Sequence, residues 1–225
     1  MIRETAGRNG ISVSNVEVDA YSVTLPGIIS VPKNPRGVIV FAHGSGSSRL
    51  SPRNNYVATI LHEYGFGTLL FDLLTTREDL VYDNRFDINL LAERLTAATE
   101  WLHGQKGIAD LKLGYFGAST GAAAALQASV RREDVKAMVS RGGRPDLAWD
   151  YLDRVEAPTL LIVGGSDDQA VLDLNRRALQ RLNAVGRGKD NKLVIVPGAT
   201  HLFEEPGALE EVARMATDWF LKFVG

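Results

Sequence analysis

Gly117-Ala118-Ser119-Thr120-Gly121 sets a serine among small residues, between a continuously apolar run at 111–116 and an alanine-rich stretch at 122–130. A chain that turns from strand to helix over so few residues forces the serine into a strained backbone conformation. The hydroxyl is then held at a helix N-terminus, where free N–H groups and the positive end of the helix dipole favour a developing oxyanion. A serine so placed attacks an acyl carbon when a base stands beside it. Pro197-Gly198-Ala199-Thr200-His201 offers that base, because it lies between the last apolar run and a C-terminal helical stretch. Of the other three histidines, His62 and His103 fall on helical stretches and read as partly exposed surface residues. His43 precedes a glycine-rich turn and suits a loop-shaping role through bonds to backbone.

The carboxylate that would orient His201 is contested between neighbours. The run at 159–163 ends in Gly164-Gly165-Ser166-Asp167-Asp168. Counting forward from the glycines favours Asp167. Counting back from Val171 and the helix after it favours Asp168 and leaves Asp167 as an N-cap. Asp168 is the expected acid, with Asp167 as its rival and Asp146 a third candidate. The chain order Ser, Asp, His is that of a serine hydrolase built on an α/β sheet. The second turn, Ala42-His43-Gly44-Ser45-Gly46-Ser47-Ser48, is of the type that supplies an oxyanion donor from main chain, so the expected donors are the N–H groups of Ser45 and Thr120. Arg141 directly follows an apolar run on the same side and is the candidate for binding a substrate carboxylate, with Arg49, Arg53 and Arg144 also near strand ends. The alternative is structural: Arg141 pairs with a carboxylate such as Asp72, while Arg49 and Arg53 are solvated.

These residues need a scaffold, and the apolar pattern describes one. Short apolar runs at 38–41, 68–71, 111–116, 135–139, 159–163 and 193–196 have the look of parallel strands covered on both faces. Helical spacing separates them, at Tyr56, Ile60 and Leu61, at Leu90, Leu91, Leu95 and Ala98, at Leu172, Leu179 and Leu182, and at Leu209, Val212, Met215, Trp219 and Phe220. Such alternation predicts an α/β fold, a mostly parallel central sheet with helices on both faces and ligands at the carboxyl ends of the strands. Residues 16–31 predict an antiparallel edge hairpin turning at Pro26-Gly27. Only residues 142–157 separate the run at 135–139 from the next, so no large lid is expected and the acyl pocket should be shallow. The last helix could present a dimer surface, though packing on its own sheet explains its pattern more simply.

Composition narrows the function. The 225 residues, 45% apolar, suit one domain spanning 1–225. A net charge of −2 gives no electrostatic reason to expect nucleic acid or an anionic membrane. Cysteine is absent, which removes disulfides, thiolate metal sites and a cysteine nucleophile. Residues 1–10 lack the apolar core of an export signal, and no apolar run is long enough to span a bilayer, so a cytoplasmic protein is expected. The expected partner is a small-molecule ester, the expected state a monomer or homodimer, and the proposed chemistry needs no metal or organic cofactor.

With these residues in view the chain resembles the α/β-hydrolase superfamily, and within it the dienelactone-hydrolase-like group, over nearly its whole length. The resemblance rests on residues 41–49, 70–75, 114–121, 140–145 and 201–204. It implies the hydrolase fold and triad but says little of substrate. Dienelactone hydrolases proper use a cysteine nucleophile, whereas position 119 is serine, which argues against that reaction and toward a serine carboxylesterase acting on short, soluble acyl esters. Perhydrolase, thioesterase and peptidase chemistry on the same triad are the enzymatic alternatives. A binding protein that kept the fold and lost turnover is the non-enzymatic one.

Overall fold

A computed structural model describes residues 5–6, 10–130, 132–184 and 190–225. Most of residues 1–10, on which the expectation of no export signal rests, therefore lie outside the described residues. Among the described residues nine strands form one sheet: β1 (Thr5–Ala6), β2 (Ile11–Ala20), β3 (Val23–Pro32), β4 (Val38–Ala42), β5 (Gly67–Phe71), β6 (Leu113–Ala118), β7 (Val135–Arg141), β8 (Thr159–Gly164) and β9 (Lys192–Val196), in the order β1-β2-β3-β5-β4-β6-β7-β8-β9. From β5 to β9 every neighbouring pair is parallel, and β1 to β3 add an antiparallel edge. The expected parallel core and edge hairpin are both present.

Alternation along the central strands divides the interior in two. Val38 and Val40 face a core shared with α3 (Ile88–His103), α4 (Thr120–Ser129) and α5 (Gln169–Ala184), while Ile39 and Phe41 face the one lined by α1 (Pro52–Glu63) and α6 (Ala208–Phe223). Both faces of β4 are buried, so its five residues are continuously apolar. β9 is an outer strand and only Val196 in it is fully buried, so its apolar run reflects one covered face rather than two. α6 buries Val212, Ala216 and Phe220 against the sheet, which accounts for its amphipathic pattern without a second copy.

The hairpin turns elsewhere than expected. Ala20 pairs with Val23, and the turn falls at Tyr21 with φ of 61°, while Pro26 and Gly27 sit inside β3 opposite Glu17 and Val16. A methyl group at Gly27 would lie 3.1 Å from Val16 Cγ2 and 3.2 Å from Phe71 Cβ. Gly27 therefore answers to packing between adjacent strands, not to a turn. Two short segments have no counterpart in the apolar pattern of the sequence. Between β5 and α3 run α2 (Thr76–Asp79), opened by a Thr75–Glu78 capping box, and a 3-10 turn at Tyr82–Phe86. A longer 3-10 segment, Pro145–Arg154, packs against α4 and α5.

The chain leaves β4 to one side for β5 and returns to its other side for β6, so the strand order reverses at β4. A crevice opens at such a point beyond the carboxyl ends of the strands. The loops after β4 and β6 carry Ser45 and Ser119.

Candidate active site

Ser119 joins β6 to α4 with φ of 52° and ψ of −120°, a conformation costly for a residue with a Cβ and kept only where its surroundings enforce it. Close backbone approach is the enforcing agent. A methyl at Gly117 would lie 2.4 Å from the Ala122 Cα, one at Gly121 would lie 2.2 Å from the Ala42 carbonyl oxygen, and one at Gly44 would lie 3.0 Å from Ser119 Cβ. Main-chain bonds fix the other side, Ser119 N–H donating to Arg141 O and Arg144 N–H to Ser119 O, both at 3.2 Å. The small residues flanking the serine thus let β4, β6 and α4 converge on it.

His201 is positioned by two loops stitched together. Gly165 N–H donates to Val196 O at 2.7 Å and Ser166 N–H to Ala199 O at 2.9 Å. A side chain at Gly164 would strike the Ala199 carbonyl at 2.3 Å. Gly142, with φ of 53°, lies under the imidazole, where a methyl would come within 3.4 Å of ring atoms. The His201 Nδ1–H donates to Asp167 Oδ2 at 2.8 Å.

The expectation of Asp168 is therefore corrected: the carboxylate on the ring is Asp167. Its side chain is 4% exposed, and its other oxygen accepts the Asp168 N–H at 2.7 Å. Asp168 points away and caps α5, accepting the Ala170 N–H at 2.8 Å, while its carbonyl accepts from Leu172 N–H. Asp146, the third candidate, pairs with Arg144 at 2.7 Å. An ionised aspartate only accepts, so its bond holds the proton on Nδ1 and leaves Nε2 free as a base.

The remaining histidines have structural partners. His43 is buried, with Nδ1–H donating to Gly44 O and Nε2 accepting from Leu73 N–H, each at 3.0 Å, so it ties the loop after β4 to that after β5 as expected. Burial pushes its pKa down and keeps it neutral. His62 bonds Thr68 Oγ1 at 2.7 Å, and His103 bonds Asp134 at 2.8 Å.

The two expected oxyanion donors lie side by side, but one is engaged. Ser45 N–H donates to Thr120 Oγ1 at 2.8 Å. Thr120 opens α4, where main-chain N–H groups have no helical carbonyl behind them. Nothing in the residue types announced the contact between Ser45 and the threonine side chain.

Ser119, His201, Ser45 and Arg141 line one cavity of about 160 Å³, with Arg53, Ser47, Ser51 and Leu202. Arg141 is 7% exposed and forms no ion pair among the described residues; its guanidinium lies 3.4 Å from Asn54 Oδ1, 3.5 Å from Leu202 O and 6.0 Å from the centre of the Phe203 ring, and its Nε has no partner. Desolvation, with Arg53 nearby, pushes its pKa down to about 10. The alternative pairing with Asp72 is not formed, because Arg49 holds Asp72 through both main chain and side chain. Arg53 is not free either, pairing with Glu204 at 2.8 Å. Among the described residues no cluster of His, Asp and Glu has the makings of a metal site.

Residues 25–224 match the model of the dienelactone hydrolase family. A solved dienelactone hydrolase from Anabaena variabilis is 49% identical, with a TM-score of 0.87 over 100% of this chain and 99% of that one. Est1E from Butyrivibrio proteoclasticus shares the fold at 16% identity, with a TM-score of 0.76 over 92% of this chain and 98% of that one. A Mycobacterium tuberculosis protein named provisionally as a phosphoribosyl transferase is 60% identical over 207 residues, 92% of this chain but 45% of that protein. The chain thus spans less than half the length of that relative.

Proposed function

The chain belongs to the dienelactone hydrolase family, and from that premise we propose that it is a hydrolase that cleaves small carboxylic esters through an acyl-enzyme on Ser119. The observation that carries this reading is the strained serine sharing one cavity with an imidazole whose Nδ1–H is fixed on Asp167. Ser119 Oγ forms a bond to the ester carbonyl carbon, its proton passes to His201 Nε2, and the carbonyl electron pair moves onto oxygen, against the main-chain N–H of Thr120 at the start of α4, the Ser45 N–H being engaged by the Thr120 side chain. Collapse expels the alcohol, which takes the proton from His201. Water then repeats the sequence and releases the acid. The transferase name attached to the longer Mycobacterium tuberculosis protein is not carried to this segment, which matches 45% of it.

The cavity, about 160 Å³, suits short acyl groups. Arg141 supplies the preference within that class. A buried guanidinium lacking a carboxylate is destabilising, and desolvation with Arg53 nearby holds its pKa down at about 10. An ester carrying a carboxylate would complete the pair. Arg141→Met should therefore lower kcat/KM for a monoanionic ester about tenfold or more relative to its neutral analogue, while raising Tm. An unchanged ratio would remove Arg141 from substrate binding. The partner proposed is a small-molecule ester rather than nucleic acid or membrane, met in the cytoplasm by a monomer or homodimer. Among the described residues no helix is long and apolar enough to cross a membrane.

The test is intact mass and peptide mapping after a fluorophosphonate. One adduct on Ser119, absent from Ser119→Ala, is the expected result. Folded protein that takes up none, or takes it elsewhere, would overturn the serine reading.

A further inference from the structure

Thr120 is 2% exposed, and its Oγ1 accepts the Ser45 N–H at 2.8 Å. Its own hydroxyl proton has no acceptor among the described residues. Other helical threonines in this chain are different: Thr59, Thr96 and Thr217 each donate to the carbonyl four residues back, at 2.8–2.9 Å. Thr120 has no such outlet, because the residue four back, Phe116, is inside β6 rather than in a helix. A buried donor without an acceptor is uncommon and calls for a reason. The hydroxyl is joined to one expected oxyanion donor and belongs to the residue whose main chain supplies the other. Gly44 and Gly121 bring the two loops so close to Ser119 Cβ and to the Ala42 and His43 carbonyls that neither position has room for a side chain.

Resting on the proposal that Ser119 is the nucleophile, we propose that the Thr120 side-chain hydroxyl is a catalytic group: it accepts from Ser45 N–H and donates its own proton to the oxyanion that forms on the substrate. The relay runs from Ser45 N–H to Thr120 Oγ1 and from Thr120 Oγ1–H to the oxyanion. Accepting one bond polarises the hydroxyl and makes it a better donor, by on the order of 10–30% in bond strength. The threonine carries two functions on one residue, main-chain N–H and side-chain O–H, and the engaged state of Ser45 N–H is part of the working hole, not an obstruction. No bond to Thr120 is made or broken covalently, and the proton stays on its oxygen.

Thr120→Val keeps the shape and removes the hydroxyl. With a short-chain p-nitrophenyl ester it should lower kcat on the order of 10²-fold, as loss of one oxyanion donor does elsewhere, and change KM little. It should weaken a boronic acid that becomes a tetrahedral anion on Ser119 by a similar factor. Thr120→Ser should rescue both to within a few-fold. If Thr120→Val fails to fold, Thr120→Ala takes its place with the same expected loss. A folded valine variant with wild-type kcat would overturn the proposal, and so would a raised kcat, which would make the hydroxyl a plug over Ser45 N–H. A wild-type protein that neither turns over esters nor labels at Ser119 is a separate result, which removes the serine reading and this proposal with it.

Discussion

Asp167→Asn should lower kcat by about four orders of magnitude, while Asp168→Asn should leave it within a few-fold of wild type. The asymmetry follows from what each carboxylate holds. Asp167 Oδ2 accepts the Nδ1–H of His201, and the asparagine amide can turn its NH2 toward Nδ1 instead. That places the ring proton on Nε2, where the base must be bare to take the serine proton. The imidazole stays in place and the tautomer is wrong. Asp168 meets only the N–H at the start of α5, and asparagine caps a helix about as well as aspartate. Steady-state kinetics on one ester with the two variants, each checked for Tm, decides the matter. Equal losses, or a larger loss at 168, would reassign the acid.

Ser119→Ala should cost about five to six orders of magnitude in kcat, and Ser119→Ala combined with Asp167→Asn should cost no more than Ser119→Ala alone. Without the nucleophile oxygen there is no proton for the base to take, so the orientation of the base ceases to matter. What remains comes from binding and from donors around the oxyanion, which both variants retain. Losses that simply add in the double variant would mean that the two residues do not act as a unit.

The serine and the histidine were legible because each sits on a loop whose flanks are unmistakable, an apolar strand on one side and a helix on the other. The acid was not. Asp167 and Asp168 follow the same strand and differ only in the direction their side chains take, which the turn closed by Asp167 N–H on Gly164 O decides. The usable signal lay downstream: α5 begins at Gln169, so the residue just before it is the N-cap, and that is Asp168. Pro26-Gly27 misled because glycine reports close packing as readily as a turn. The α2 segment was too short for any periodicity to register, though Thr75 with Glu78 three residues on is the signature of a capping box. Arg141 could be placed on the catalytic side from its position after β7, but its want of a partner depends on Arg49 having taken Asp72, a matter of tertiary contact alone.

The loops around Ser119 and His201 are bonded to one another through main chain. Ser119 N–H meets Arg141 O at the end of β7, Gly142 N–H meets Ile162 O inside β8, and Ser166 N–H meets Ala199 O in the loop after β9, so the loops after β6, β7 and β8 are each bonded to the next strand or to its loop. In effect the hydrogen-bonded ladder of the sheet continues past the strand ends and into the site. Local fraying there would break bonds of neighbouring loops as well, which makes opening of any one of them costly. Activity should therefore survive warming or urea until the sheet itself gives way, and vanish with it in the same cooperative step.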